Sequence, residues 1–350
     1  CLHEEKAYAL SSPLLIPPQS WAQPENHLEE LLNNPWYGAV LRLFDLMTQT
    51  STAFYRSEGM LSVFAPVTTG SISSPMGLGS DSVPVQAEIA GRPVYLADSM
   101  QFSLELAMRV MDCSAYYIMP SFRGEQADAR HLNQFVHSEA EIHGDLNDVM
   151  GVVERYVRAL AVAFVEHASA DVEAMGGRLD ELHALSNTTG ALPRKTFGEA
   201  VTLLADEPGT FESCENGVQR LTNYGEQCLI KHAGGPVWVT HMPASTLPFY
   251  QSRAADNPEV SLTADLLMGI GETVGAGERA YSSDDLLVNL KAAQVDPLSY
   301  DWYLKMKELR PVKTAGFGLG VERFLMWATG TRDIRDWSFL IRNETGEGVP

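Results

Sequence analysis

The chain has 350 residues, 45% of them hydrophobic, which suits one large domain with an extension. Its 25 basic and 45 acidic residues give a formal net charge of -20, which repels a polyanion and makes tRNA or DNA an unlikely partner, although a local basic patch can exist on an acidic protein. No apolar run approaches the roughly 18 to 20 residues that span a bilayer, and the cysteines lack Cys-x-x-Cys spacing, so the composition favours a reduced, cytoplasmic protein with neither membrane contact nor a zinc knuckle.

An irregular arm and a helix come first in chain order. Prolines punctuate the segment up to about residue 26 and deny it regular backbone hydrogen bonding. Behind Pro35, which the first turn of a helix tolerates, apolar residues recur at spacings of three and four, and predict an amphipathic helix. We therefore expect an N-terminal arm and helix over residues 1–50.

The remaining elements mix strands with a helical block. After Gly59, β-branched runs broken by glycine and proline predict strands, joined by a loop from Gly70 to Ser82 that we expect to be mobile. A mostly helical block follows at about 147–229, and strand patterns then return before one last helix. This order predicts an α+β domain over residues 51–342, with a tail at 343–350.

The stretch SFRGEQADARHLNQFVHSEAEI concentrates opposite charges around one aromatic ring. As an antiparallel hairpin it would align Arg123 with Glu125 on one strand and the alternate residues Phe135–Glu141 on the other, with Arg130 and His131 in the loop. Guanidinium groups match phosphate oxygens, aromatic rings stack on purines, and carboxylates hold ammonium or magnesium. The hairpin thus fits a nucleoside triphosphate; a solvated, ion-paired surface hairpin is the alternative.

Alternating glycines mark a second candidate binding surface. In GFGLGVERF, the residues Gly316, Gly318 and Gly320 would leave one face of a strand without side chains, so that a flat ligand can lie on the backbone. Arg323 follows immediately.

The stretch ADLLMGIGETVGAGERA carries a third set of candidates. Asp265 and Glu272 are suited to bind magnesium together, and Arg279 suits a carboxylate or an amide carbonyl. Acidic residues that merely end strands are the alternative.

In this order, the three stretches resemble the signature motifs of class II aminoacyl-tRNA synthetases, specifically the aspartyl/asparaginyl subgroup and most of all its asparaginyl branch. SEGMLSVFAPVTTG is similar to the family's first, dimer-forming motif, so the likeness covers about residues 50–342. The resemblance implies a class II synthetase-type antiparallel sheet flanked by helices, a homodimer, and the use of ATP and Mg²⁺.

The resemblance also implies roles for the residues that match the motifs. In the ATP site these are Arg123 at the α-phosphate, Glu125 beside adenine, Phe135 stacked on adenine, Arg130 and His131 over the β- and γ-phosphates, Arg323 at the γ-phosphate, and Gly318 and Gly320. In the magnesium site they are Asp265 and Glu272. In the amino-acid pocket they are Ser99, Gln101 and Glu139 or Glu141 at the α-amino end, and Arg279 at the side-chain carbonyl oxygen.

Glu105 bears on the choice of amino acid. It stands where asparagine-type relatives place an acid, and Leu104 stands where aspartate-specific relatives carry lysine. A carboxylate accepts hydrogen bonds from an amide NH₂ or from ammonium but repels a substrate carboxylate. The pocket therefore favours asparagine, or aspartate plus ammonia, and Glu105 joins Arg123 and Arg323 as a predicted catalytic residue.

The family's anticodon-binding β-barrel has no counterpart in the pattern, because only about 50 residues precede the first motif. With the net charge, this predicts a tRNA-independent, AMP-forming ligase. It would activate an aspartate- or asparagine-like substrate as an acyl- or imidoyl-adenylate, release pyrophosphate, and form an amide with ammonia.

Three alternatives remain open at this point. One is dehydration of an asparagine-type amide to a nitrile, with Glu105 as the base. Another is aminoacyl transfer to a tRNA or a carrier. The last is an inactive, ATP-binding regulatory paralogue.

Overall fold

A computed structural model describes residues 14–74, 83–177, 179–214, 217–343 and 346–347. Residues 1–13 of the predicted arm, residues 75–82 of the predicted mobile loop and most of the predicted tail lie outside the described residues.

Helices precede, interrupt and follow the strands. The α-helices are α1 (His27–Asn33), α2 (Pro35–Ser57), α3 (Gln101–Met111), α4 (Leu146–His167), α5 (Ser169–Ala174), α6 (Leu179–Asn187), α7 (Phe197–Leu203), α8 (Asn223–Ala233), α9 (Ser283–Ala292), α10 (Asp301–Leu309) and α11 (Val321–Thr329). In the described part of the chain, none of the helices has both the length and the apolarity that crossing a membrane requires.

Most of the longer strands belong to one sheet. The strands are β1 (Leu61–Ser62), β2 (Thr68–Thr69), β3 (Val85–Ile89), β4 (Arg92–Leu96), β5 (Ala115–Phe122), β6 (Gln134–His143), β7 (Arg194–Thr196), β8 (Phe211–Ser213), β9 (Gln219–Leu221), β10 (Val237–Thr240), β11 (Thr263–Met268), β12 (Gly271–Glu278), β13 (Thr314–Gly320), β14 (Arg342–Asn343) and β15 (Gly346–Glu347).

The main sheet has eight strands in the order β1-β5-β6-β13-β12-β11-β10-β7. Its inner neighbours are antiparallel, whereas the edge strands β1 and β7 pair in parallel with β5 and β10. The predicted α+β class and the antiparallel sheet flanked by helices are thereby confirmed. The helical block predicted between the two groups of strands corresponds to α4 to α8, with short strands among them.

Helix α2 shows why the N-terminal sequence is helical. Pro35 occupies its first turn, and Asn34 caps it by accepting a hydrogen bond of 3.0 Å from the Trp36 backbone N–H. Its apolar face, including Val40 and Leu43, is buried in the same core as the sheet and α4. Since α2 runs across residue 50 without interruption, the domain division there stays a prediction.

The back of β6 is fixed by a chain of buried hydroxyls. Ser138 Oγ lies 2.7 Å from Tyr55 Oη of α2 and 2.7 Å from Tyr156 Oη of α4. Each hydroxyl thus has a partner, as burial requires. The two helices anchor the strand on this side and leave its opposite face free for the site.

Residues from the two ends of the described chain meet. The indole nitrogen of Trp36 donates to the Asp336 carbonyl oxygen at 2.9 Å, and that of Trp21 donates to the Asp336 carboxylate at 2.8 Å. His27 Nε2 lies 2.9 Å from the Phe339 carbonyl oxygen. The N-terminal segment therefore packs on the segment that follows α11.

Candidate active site

The front face of β6 carries the residues that alternate in the sequence. In its register with β13, His137 lies opposite Gly320, Glu139 opposite Gly318, and Glu141 opposite Gly316. Because residues two apart share a strand face, Phe135 lies in the same row. The predicted alternation is confirmed, and the glycines of β13 border the row.

The glycines make room for side chains as well as for a ligand. A Cβ atom on Gly316 would lie 1.8 Å from Glu141 Oε2 and 2.6 Å from Arg279 Nη2. Glu141 and Arg279 therefore occupy the space above Gly316. Gly318 and Gly320, by contrast, line an open cavity.

That cavity, of about 170 Å³, lies at the Phe135 end of the row. Its lining residues include Arg123, Arg130, His131, Phe135, Glu272, Gly318, Gly320 and Arg323.

Arg123 approaches the cavity from a loop. Strand β5 ends at Phe122, so Arg123 and Glu125 are not on a strand as predicted. The Arg123 backbone N–H donates to the Asn133 carbonyl oxygen at 2.9 Å, and its guanidinium carbon lies 5.4 Å from the centre of the Phe135 ring. Its buried Nε has no hydrogen-bond partner. A cationic donor next to an aromatic face is thus available to a ligand.

Glu125 is not brought to the cavity lining. One of its carboxylate oxygens accepts a hydrogen bond of 3.2 Å from the Val83 backbone N–H. Its predicted role beside adenine has no support from the arrangement of the side chains.

Two arginines and a histidine share the other end of the cavity. Arg323 Nη1 donates to the Glu272 carbonyl oxygen at 2.5 Å, and His131 Nδ1 lies 2.9 Å from the Asp128 carboxylate. Arg130 Nη2 donates to Glu226 at 3.0 Å. Burial and the charge of Arg323 lower the pKa of the His131 imidazole.

Glu226 was not predicted from the sequence. It lies on α8, and no spacing in the chain relates it to the strands that carry Asp265 and Glu272. Burial, Glu272 and Glu226 together raise the pKa of Asp265 well above its usual range, and burial raises the pKa of Glu226 although Arg130 opposes the shift.

The three carboxylates of Asp265, Glu272 and Glu226 are chemically suited to the implied magnesium ion. Carboxylates that raise one another's pKa are stabilised by a divalent cation. Across the described ranges, no three His, Cys, Asp or Glu side chains are arranged to hold a metal unaided. Magnesium usually takes one or two carboxylates and completes its shell with phosphate oxygens and water, which suits Asp265 and Glu272.

The opposite end of the row, around Glu139, is polar and closed. Ser99 Oγ donates to Glu139 Oε2 at 2.6 Å, and His137 Nδ1 lies 2.9 Å from Glu139 Oε1. Burial alone would raise the pKa of Glu139, but His137, Ser99 and Tyr117 outweigh it and lower the pKa. The buried Nε2 of Gln101 has no partner. An ionised acceptor and a free donor lie together here.

Arg279 and Glu141 form a buried ion pair beside this group. Arg279 donates from Nε to Glu141 Oε1 at 3.1 Å and from Nη2 to Oε2 at 3.0 Å. Its Nη1 donates to Gln251 Oε1 at 3.1 Å. Gln251 was missed in the sequence, where only its position after the aromatic pair Phe249–Tyr250 points to it. Since Glu141 is held by Arg279, Glu139 is the carboxylate placed beside Ser99.

Glu105 is fully buried, and its carboxylate already has partners. Tyr303 Oη donates to Oε1 at 2.5 Å, and Lys307 Nζ donates to Oε2 at 2.9 Å. Burial by itself raises the pKa of Glu105, but Lys307, Arg109 and Arg279 outweigh it and lower the pKa. The structure therefore speaks against Glu105 as a general base, because a stabilised carboxylate is a weak one.

Comparisons with known proteins show the family of the chain. A family model described as tRNA synthetases class II (D, K and N) matches residues 23–344. An asparagine–tRNA ligase of Pyrococcus abyssi is 29% identical over 315 residues, which are 88% of this chain and 69% of that protein. One from Lactococcus lactis is 28% identical over 309 residues, 85% of this chain and 66% of that protein.

A solved structure is similar over nearly the whole chain. It is the asparaginyl-tRNA synthetase of Pyrococcus horikoshii complexed with asparaginyl-adenylate, with a TM-score of 0.81 and 25% identity. The match covers 93% of this chain and 72% of that one.

These matches overturn the prediction that tRNA is an unlikely partner, since the relatives are named as tRNA ligases. The prediction was drawn from the missing counterpart of the anticodon-binding β-barrel and from the net charge of -20. A net charge sums over all residues and does not show how charge is distributed. By its sequence over residues 23–344 and by its fold, the chain belongs to the class II tRNA synthetases of the D, K and N group.

Proposed function

We propose that the chain activates asparagine with ATP to asparaginyl-adenylate and transfers the asparaginyl group to tRNA. The observation that carries this proposal is the row along β6 and β13. At one end lie the Phe135 ring and Arg123, whose buried Nε has no hydrogen-bond partner. At the other end lies the Arg279–Glu141 ion pair, with Glu105 nearby. An adenylate has the same two halves, a nucleotide and an amino acid.

The first step is the attack of the asparagine α-carboxylate oxygen on the α-phosphorus of ATP. A new carboxyl oxygen–phosphorus bond forms, the bond to the β-phosphate oxygen breaks, and pyrophosphate leaves with the electron pair. Arg123 donates to the α-phosphate, while Arg130, His131 and Arg323 bind the β- and γ-phosphates. The three arginine cations lower the barrier because they meet charge that shifts during the transfer.

Magnesium, held by Asp265 and Glu272, would neutralise phosphate charge when bound. Phe135 would stack on adenine, with Gly318 and Gly320 leaving the space beside the nucleotide open.

The amino-acid end orients the substrate. Glu139, ionised and held by Ser99, accepts from the α-ammonium group, and Gln101 presents its free amide nitrogen to the same end. Arg279 donates to the side-chain carbonyl oxygen, and Glu105 accepts from the amide NH₂. A ribose hydroxyl of tRNA then attacks the activated carbonyl carbon, and AMP leaves.

We also propose a homodimer. Phe64, in the stretch that is similar to the dimer-forming motif, is 94% exposed, and Val110 and Met111 at the end of α3 are 71% and 58% exposed. Apolar side chains of this size are stabilised by a partner surface. Analytical ultracentrifugation tests this, since a Phe64→Glu variant should sediment as a monomer.

The activation step is tested by ATP–pyrophosphate exchange with asparagine and, separately, with aspartate plus ammonium. Exchange with asparagine, followed by labelled asparagine bound to tRNA, is the expected result. Exchange that yields asparagine from aspartate, or a nitrile one water lighter than asparagine, would replace tRNA transfer by the corresponding small-molecule reaction. No exchange with either amino acid would reject the proposal.

A further inference from the structure

Helix α10 buries a lysine beside the amino-acid pocket. The side chains of Lys307 and Glu105 are both 0% exposed, and the Lys307 ammonium lies 2.9 Å from Glu105 Oε2. Lysine is almost never fully buried unless it is paired, because removing its charge from water is costly. The roles assigned above do not explain why α10 should carry this charge.

Charged and titratable groups face Glu105 from three elements and from the residue that follows β12. Arg109, on its own helix α3, lies with Nη1 3.4 Å from Oε2. Tyr303 and Lys307 approach from α10, Arg279 acts from the position directly after β12, and Glu141 lies nearby on β6. These are the side chains that decide whether Glu105 is ionised.

The contacts leave Glu105 one free acceptor position. A carboxylate offers about four lone-pair positions, two on each oxygen. Tyr303 uses one on Oε1, while Lys307 and Arg109 both approach Oε2. The remaining position on Oε1 suits one N–H of an amide, and an ionised Glu105 has no proton to donate to a substrate carboxylate.

We propose that Lys307 is a positioning residue that keeps Glu105 ionised and oriented, so that the pocket accepts an amide side chain and rejects a carboxylate. The choice of asparagine as the amide substrate in this inference rests on the proposed function.

The sign of the pH effect follows from the charges. Without the Lys307 charge, burial is opposed only by Arg109, Arg279 and Tyr303, so the pKa of Glu105 should rise relative to the wild type. Above that new pKa the carboxylate is still present and asparagine is preferred. Below it, Glu105 is protonated and its O–H can donate to the aspartate carboxylate, so discrimination falls.

The test compares Lys307→Gln, which keeps an N–H donor but loses the charge, with Lys307→Arg, which keeps the charge. In each, kcat/KM for asparagine and for aspartate is measured by pyrophosphate exchange from about pH 6 to about pH 9. The wild type and Lys307→Arg should hold a constant ratio. In Lys307→Gln the ratio should fall about tenfold for each pH unit below the new pKa. A ratio in Lys307→Gln that stays as high and as flat as in the wild type would overturn the proposal.

A second measurement needs no activity. The ¹³C signal of the Glu105 carboxyl, assigned by its loss in Glu105→Gln, is titrated in the wild type, in Lys307→Arg and in Lys307→Gln. The first two should titrate below the ordinary range of glutamate and Lys307→Gln at higher pH; titration of Lys307→Gln at the same pH as the wild type would refute the role of Lys307. If asparagine supports no exchange, the proposed function fails, and this titration alone decides the proposal.

Discussion

The two ends of the row along β6 and β13 use charge in different ways. At the nucleotide end, Arg123 and Arg130 each keep a buried guanidinium nitrogen without a partner. At the amino-acid end, Arg279 and Lys307 are paired with Glu141 and Glu105. Open donors suit a ligand that brings several negative charges, whereas paired charges hold fixed positions for a ligand of small net charge. Removing a charge should therefore weaken ligand binding at the nucleotide end and destabilise the fold at the amino-acid end.

The largest effect is expected from Glu141→Ala. It leaves Arg279 buried without its ionic partner, and breaking such a pair costs about 3–5 kcal/mol in the free energy of unfolding. Urea denaturation measures it. The matched control is Glu58→Ala, which removes the acid of an ion pair whose Arg155 side chain is 51% exposed and should cost less than about 1 kcal/mol. Equal losses in the two variants would contradict the distinction between the ends.

Arg123→Ala should reduce catalysis without reducing stability. Loss of a donor to the transferring phosphoryl group typically lowers the rate about 10² to 10³-fold. The free energy of unfolding should change little, since the side chain leaves a donor unpaired in the absence of ligand. Pyrophosphate exchange and urea denaturation are the two measurements, with the exposed Arg92→Ala as control. Full activity in Arg123→Ala would show that Arg123 takes no part in catalysis.

Glu322→Gln tests a buried acid next to Arg323. Burial raises the Glu322 pKa to about 7, although hydrogen bonds from backbone N–H groups, Val136 among them, oppose the shift. The folded pKa lies above the unfolded one, so the wild type loses stability as pH rises through about 4.5 to 7. The neutral variant should gain about 3 kcal/mol above that window and little at its lower end. Melting temperatures across pH measure this; a difference independent of pH would contradict it.

Phe135→Leu should have the smallest effect. Stacking of an aromatic ring on a base contributes about 1–3 kcal/mol when lost to alanine, and leucine retains part of the contact. KM for ATP should rise about fivefold while KM for asparagine stays unchanged, which serves as the internal control. Equal increases in both would mean that Phe135 supports the whole site rather than adenine.

The two-residue repeat of side chains along a strand made the part of the site on β6 and β13 predictable. The alternation from Phe135 to Glu141, and the glycines of β13 opposite it, follow from a repeat of two that the sequence displays directly. The strand assignment failed at Arg123, because the end of β5 is set by pairing with β6 rather than by residue type.

Residues that reach the site through tertiary packing left no such signal. Glu226 arrives from α8 and Lys307 from α10, each far in sequence from the strands they serve. Glu105 was found by resemblance to relatives, but its role as a base depended on neighbours that only packing supplies. Spacing in the chain reports which residues share a strand face, and not which helix will be packed beside them.

The contacts of Trp21, His27 and Trp36 with the segment after α11 have a consequence for biosynthesis. They join residues that are 315, 312 and 300 positions apart in the chain. During translation the early helices leave the ribosome long before their partners exist, and contacts across such separations form late. The buried indole and imidazole groups remain in solvent or in transient contacts until residues 336–339 have been synthesised. A ribosome-bound chain that stops before Asp336 should therefore bind chaperones. The chaperones should dissociate when the contacts of Trp21, His27 and Trp36 with the segment after α11 form.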